Sequence, residues 1–178
     1  MVTAKTQYSL NNAQSYFTEL PSAGDWFCFG AQSLEFNVKI READFLALFE
    51  NESPKSSNCL TQRTNLVREQ DGETTANRRI LYDFTFSAPK SVSLLALVAD
   101  DRRIIEAHNR AVQTALAEFY FFAVTRVRKC QADNSRFTRN VIYGLFTHDT
   151  SLALDTHLHT HCILEQPSSE KEENSSKV

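Results

Sequence analysis

Between Arg102 and about Arg128, the residues Ile104, Ile105, His108, Ala111, Val112, Ala115, Leu116, Phe119 and Phe122 recur at three- and four-residue spacing. That repeat gathers them on one side of a long α-helix, which Asp100 or Asp101 is placed to cap. A helix of this kind buries one face, and the flanking sequence supplies strands. Arg79–Phe86 (RILYDFTF), closed off by Pro89, is aromatic and β-prone. Arg136–Phe146 and Leu158–Leu164 read as two further strands, joined by the turn-like HDTSLALD. Thirteen Phe against one Trp and one Met, in a chain that is 42% apolar, mark a packable core and exclude disorder for most of the length.

The remaining segments are shorter. Residues 1–22 are polar with spaced apolar positions (Leu10, Ala13, Phe17, Leu20) and predict a short helix ending near Pro21. Ala43–Phe49 and Ser91–Val98 predict two more short helices. Asn51–Asn77 is rich in Ser, Asn, Thr and Glu and reads as a surface loop or flap. Residues 1–164 form one domain, and the Ser/Glu/Lys-rich residues 165–178 are expected to be a disordered tail. No apolar run reaches transmembrane length, and the N-terminus lacks a signal-peptide core. Cys28, Cys59, Cys130 and Cys162 are scattered with no CxxC pair, the pattern of reduced thiols in a cytoplasmic protein.

Formal charge is −3 and the isoelectric point about 6.0, which argues against a protein that coats nucleic acid non-specifically. The average conceals a contrast. Arg102–Arg139 holds eight Lys/Arg and three Asp/Glu, while Glu165–Val178 holds two Lys and four Glu. A local basic region is therefore available to face phosphates.

Four of the five histidines fall within fourteen residues: His148, then His157, His159 and His161 in HLHTH. Alternate residues of a strand project to one face, so His159 and His161 can present two imidazoles to one ion. A third from a neighbouring strand, such as His148, would complete a triad with open positions for water or substrate, as Lewis-acid chemistry requires. A half-exposed strand merely rich in His needs no metal, but so tight a cluster favours a site. His108, on the apolar stripe, reads as a core or capping residue.

HDTSLALDTHLHTH, preceded by FTRNVIYGLFT, resembles the metal motif of MobF-class conjugative relaxases, the TrwC/TraI-like branch of the HUH endonucleases. YDFTFSAPKSVSLLALVADDRRIIEAHNRAV (residues 82–112) is similar to the family's most characteristic block, and GDWFCFGAQSL (residues 24–34) to its Trp-x-Gly-x-Gly-Ala-x-x-Leu segment. The likeness runs in the family's order from about Leu10 to Leu164. It implies an α+β fold, an antiparallel β-sheet with helices packed on one face (the HUH relaxase/Rep-like palm), with the histidine strands central. Family domains continue well beyond the histidine strand, so the C-terminal part is expected to be missing here.

The resemblance also implies roles. His148, His159 and His161 become metal ligands, with His157 a neighbouring support. The ion would be Mg²⁺ or Mn²⁺, with Zn²⁺, Ni²⁺ or Co²⁺ as alternatives. Tyr16, in NAQSYF, matches the family's Ala-x-Ser-Tyr-Tyr start and becomes the nucleophile, with Phe17 in place of a second tyrosine. Counting back from Trp26 gives another register, in which Tyr8 is the first catalytic tyrosine and Tyr16 the second. Asp83 takes the acidic position beside the histidines, to orient an imidazole or help take the phenolic proton; a strand-edge Asp paired with Arg78 or Arg79 is the other reading. Lys90 and Ser91, at a turn into a helix, and Arg126 and Arg128, in the basic stretch, are candidate phosphate contacts. Capping is the alternative for the first two.

Some positions depart from the pattern. Cys28 and Phe29 replace a glycine and its neighbour, Arg139 stands for a glycine, Leu152 for an arginine and Gln166 for an asparagine. The expected function is a metal-dependent, site- and strand-specific single-stranded DNA nicking and rejoining enzyme that starts conjugative plasmid transfer. Its partners would be an origin of transfer or replication and accessory relaxosome proteins. The alternatives are a rolling-circle replication initiator with the same chemistry, a shortened homologue that binds an origin without nicking, and a metal-binding α/β domain unrelated to DNA.

Overall fold

The structure, a computed structural model, describes residues 1–7, 24–27, 39–49, 52, 67–70, 73–76, 81–129, 132–137, 141–151 and 153–165. In chain order these give β1 (Val2–Gln7), β2 (Asp25–Phe27), α1 (Glu42–Phe49), β3 (Val67–Gln70), β4 (Glu73–Ala76), β5 (Leu81–Ser87) and α2 (Lys90–Leu97). They continue with α3 (Arg102–Phe121), β6 (Val124–Lys129), β7 (Ala132–Phe137), β8 (Ile142–Thr150) and β9 (Thr156–Glu165). Tyr8, Tyr16 and residues 166–178 lie outside the described residues. No helix among those described is long and apolar enough to cross a membrane.

Five strands form one antiparallel sheet in the order β1-β5-β9-β8-β2, which puts the histidine strand β9 at its centre with β8 beside it, as the resemblance implies. Register partners share a face, so the sheet has two distinct sides. On one side Phe86, Tyr143 and Cys162 pack under Val112 and Leu116 of α3. Leu116 and Tyr143 are fully enclosed there. α2 lies over β9 on this side, and together α2 and α3 are the helices expected on one face.

The opposite side carries the histidines. Phe146, the register partner of His161, is also fully buried, because α1 covers it: Phe45 meets its ring edge-on at 5.5 Å and Trp26 of β2 at 6.4 Å. α1 thus adds a helix on the second face, over the β2–β8 edge. Leu48 and Ile40 complete this smaller core.

Three expectations need correction, and one strand is an addition to them. Residues 2–7 form strand β1, paired with β5 from Val2↔Phe86 to Gln7↔Leu81, while the short helix expected over Leu10, Ala13, Phe17 and Leu20 lies outside the described residues. Within Asn51–Asn77, β3 and β4 pair as a ladder; their polar residues show no apolar alternation, but Asp71-Gly72 between them is a hairpin signal. The long helix stops at Phe121, well before Arg128. Phe121 and Phe122 are exposed, so the apolar stripe has ended, and the β-branched VTRVRK pairs with β7 instead. The strand expected over Arg136–Phe146 is two, β7 and β8. Asp101 is the cap of α3, its Oδ1 accepting the Arg103 N–H at 3.1 Å, while Asp100 takes a left-handed φ of 52°.

Candidate metal centre

β8 runs on to Thr150 and β9 starts at Thr156, so His148 stands within a strand and not in the turn. It lies directly across from His159 in the register. Alternation on β9 puts His157, His159 and His161 on the same face. The rings of His148, His159 and His161 have centres 5.1–5.5 Å apart, and His157 stacks on His159 at 4.9 Å. Imidazoles bound to one ion through nitrogens at about 2.1 Å stand with ring centres about 5 Å apart, so the spacing suits a shared ion.

The second ring nitrogen of each imidazole decides which one is left for a ligand. His161 Nδ1 donates toward both carboxylate oxygens of Asp83 at 3.2 Å, with Thr85 Oγ1 at 3.3 Å. Asp83 is 3% exposed, brought in from β5 opposite Ile163, two residues along from the Thr85↔His161 pair and on the same face. His159 Nδ1 donates to the His157 carbonyl at 2.9 Å. A carboxylate and a carbonyl only accept, so both imidazoles carry a proton on Nδ1, which leaves Nε2 as the nitrogen for a ligand. His148 Nε2 is buried with no hydrogen-bond partner. Burial, reinforced by neighbouring imidazoles, lowers the pKa of His148; burial is also the largest cause of the lowered His159 pKa. Neutral rings are the form that binds metal.

The ring tilts are not those of a closed site. Among the described residues no three His, Cys, Asp or Glu surround one point, and the His148 and His159 planes differ by only 23°. Imidazole rotation about its second side-chain torsion is broad, and His148, with no hydrogen bond on its buried Nε2, is the ring freest to turn toward the other two. An all-nitrogen donor set of imidazoles, one with an orphaned buried nitrogen, fits a divalent transition ion.

The other candidate residues fall in three places. Lys90, at the start of α2, reaches Asp155 Oδ2 at 2.6 Å and donates to the Thr156 carbonyl at 2.9 Å, tying the β8–β9 turn to the helix. Ser91 is exposed in the first turn of α2. Arg126 and Arg128 lie on β6, away from the histidine sheet in the ladder order. Tyr8, Tyr16, Arg78 and Arg79 lie outside the described residues. Sequence reasoning missed Ser93 and Thr160, both buried, and the partner of His108, whose Nε2 sits 3.1 Å from Thr160 Oγ1. Only the strand alternation, which turns Thr160 to the helix side between two histidines, signalled any of this.

The family model described as TrwC relaxase matches residues 2–175. The multifunctional conjugation protein TraI of Escherichia coli (strain K12) is 37% identical over 164 residues, 88% of this chain and 9% of that protein. The metal-bound structure of the conjugative relaxase TrwC in complex with oriT DNA superposes with a TM-score of 0.77 at 32% identity, over 92% of this chain and 56% of that one. TrwC complexed with a 27-mer DNA comprising the recognition hairpin and the cleavage site gives 0.75 at 31% identity, over 92% and 55%. This chain therefore spans just over half of the solved TrwC chains and 9% of TraI.

Proposed function

This chain belongs to the TrwC relaxase family, and we propose that it nicks and rejoins single-stranded DNA at an origin of transfer, site- and strand-specifically and with a divalent metal. The observation that carries this reading is the central-strand cluster: His148, His159 and His161 with ring centres 5.1–5.5 Å apart, and buried Asp83 on His161 Nδ1. A related chain with oriT DNA and a bound metal supports it, and a relative described as a conjugation protein favours transfer over rolling-circle replication.

In this reading the phenolate oxygen of Tyr16 attacks a DNA phosphorus. The bond from phosphorus to the 3′-oxygen breaks, leaving a 5′-phosphotyrosine and, after protonation, a free 3′-hydroxyl. The exchange conserves the energy of the linkage, so the reverse attack reseals the strand without a nucleotide cofactor. A phenol has a pKa of about 10 and needs help to lose its proton. When bound, a divalent ion supplies Lewis-acid stabilisation of the charge that builds on the phosphate. His148, His159 and His161 would hold it, and of the two expected ions Mn²⁺ is proposed ahead of Mg²⁺, which prefers oxygen ligands to imidazole. Asp83 fixes the His161 ring and its tautomer and lies near enough to share a proton. Lys90, Ser91, Arg126 and Arg128 are the proposed phosphate contacts, Lys90 exchanging its Asp155 partner to make one. The cytoplasm, where plasmid DNA is, is the proposed location.

The test is a denaturing gel. The protein is incubated with Mn²⁺ or Mg²⁺ and single-stranded oligonucleotides from its own plasmid's origin. A covalent adduct lost in Tyr16→Phe is expected. Loss in Tyr8→Phe with survival in Tyr16→Phe would move the nucleophile to Tyr8. DNA binding with no adduct under either metal refutes the enzyme and leaves an origin-binding protein.

A further inference from the structure

We propose that Ser93 and the His108–Thr160–Thr147 chain are positioning residues, which set the metal-binding histidines from the far side of the sheet. The inference rests on the metal reading above. It begins with an interruption in the ladders around Leu158. On one edge of β9, pairing with β5 ends at Ser87↔His159. On the other, the β8 register is regular through His148↔His159 and then shifts before Thr150↔Thr156. The backbone at Leu158 therefore lies where the β5 ladder ends and the β8 register shifts. Irregularities of this kind re-aim side chains beside active sites, provided something else holds the strand.

α2 supplies part of that hold. The Leu158 N–H donates to Ser93 Oγ on α2 at 3.0 Å, while the Leu158 carbonyl accepts from the N–H of Ala88, the residue after β5, at 3.0 Å. Ser93 is fully buried, and its own hydroxyl proton goes to the Pro89 carbonyl at 3.2 Å. The hydroxyl thus bridges the first turn of α2 to the strand position between two imidazoles. An alanine there would leave the buried Leu158 N–H without an acceptor.

A second tie lies two residues on. Thr160, 2% exposed, stands between His159 and His161 but faces the helices. Its Oγ1 is 3.1 Å from His108 Nε2 on α3 and 3.1 Å from Thr147 Oγ1, its register partner on β8. Thr147 in turn precedes His148. One hydrogen-bonded chain therefore joins α3 to both ligand-bearing strands, at the residues adjacent to all three proposed ligands. Valine at positions 147 and 160 would fill the same space without the polar cost. Directional bonds fix rotation and register, which apolar packing leaves looser.

The test measures Mn²⁺ affinity by calorimetry, metal-free thermal melting, and imidazole NMR resonances of the metal-free protein. Ser93→Ala and Thr160→Val are expected to weaken Mn²⁺ binding about tenfold. Thr160→Ser, which keeps the hydroxyl and loses a methyl, should bind within twofold of wild type. Leu116→Ala serves as the purely structural control: it lowers the melting temperature and leaves affinity unchanged. If Ser93→Ala does not fold, Thr160→Val decides. Affinity unchanged in Thr160→Val despite lost stability overturns the proposal. Wild-type protein that binds no Mn²⁺ overturns the metal reading instead. Positioning is then judged by the His159 and His161 resonances, which must move in Thr160→Val and stay in Leu116→Ala.

Discussion

Replacing Gly24 by alanine tests how tightly the histidine face is packed. A methyl on Gly24 would lie 2.6 and 2.7 Å from two ring carbons of Phe146 and 2.8 Å from Ile40 Cδ1. Carbon atoms rest at about 3.5–4.0 Å, so each contact is short by about 1 Å. The two Phe146 carbons cannot simply yield, although the Ile40 terminal methyl can turn aside. Phe146 is fully buried and held edge-on by Phe45 at 5.5 Å, and the Gly24 carbonyl accepts the Ile40 N–H at 2.9 Å. Overpacking of this kind costs about 1–3 kcal/mol, and with both ring and backbone pinned the upper part of that range applies. For a chain of this size each kcal/mol lowers the melting temperature by about 2–4 °C, giving a drop of about 4–12 °C for Gly24→Ala. Differential scanning calorimetry measures it. Adding Ile40→Val, which deletes Cδ1, should recover only a minor part, since both Phe146 contacts persist. Gly144→Ala meets Ile40 Cδ1 at 3.1 Å and Phe146 at 3.3 Å, and should cost under about 1 kcal/mol. Equal losses for Gly24→Ala and Gly144→Ala, or a Gly24→Ala melt within 1 °C or so of wild type, would refute the reasoning.

Asp83→Asn keeps the size of the side chain that holds His161 and removes its charge; Mn²⁺ affinity should fall about 10–100-fold by calorimetry, and an unchanged value would take Asp83 out of the site. Cys162 is enclosed, and burial, with Asp83 adding to it, raises its thiol pKa well above normal. Alkylation mapped by mass spectrometry at pH 8 should therefore spare Cys162 in native protein and reach it in denaturant. The Lys90 hydrogen bond and charge lower the Asp155 pKa. A carboxylate with a depressed folded pKa keeps its contribution above the ordinary value and loses it as pH falls through the lowered one. The tie to the 151–155 turn should thus persist down to about pH 4, and NMR shifts of that turn that move near pH 6 would contradict it.

Much of the site was legible because strand alternation is a simple rule. HLHTH on a strand puts three imidazoles on one face, and His148 needed only a neighbouring strand to join them. The extent of that strand was harder to read. HDTSLALD looks like a turn throughout, yet pairing carries β8 to Thr150 and leaves only 151–155 to reverse the chain. The end of α3 was misplaced for a related reason. Phe121 and Phe122 continue an apolar run while their side chains face solvent, so composition alone hid the break. β3 and β4 pair through backbone bonds between largely polar residues, which leave no hydrophobic period to detect, and β1 (VTAKTQ) offers only Val2 and Ala4. Ser93, His108 and Thr160 belong to elements that come together only in the folded sheet.

Many enzymes carry their reactive groups on loops, which can loosen while the core stays intact. Here the imidazoles sit on the middle strand of five and on its immediate neighbour, with a buried layer of helices behind them. Amide exchange at Thr160 and Cys162 should accordingly be governed by global opening, the slowest motion the molecule has. An ion bound there would leave by exchange of its ligands and not by breathing of the backbone. The arrangement of the imidazole-bearing backbone then lasts as long as the fold itself, whatever the residence time of an ion.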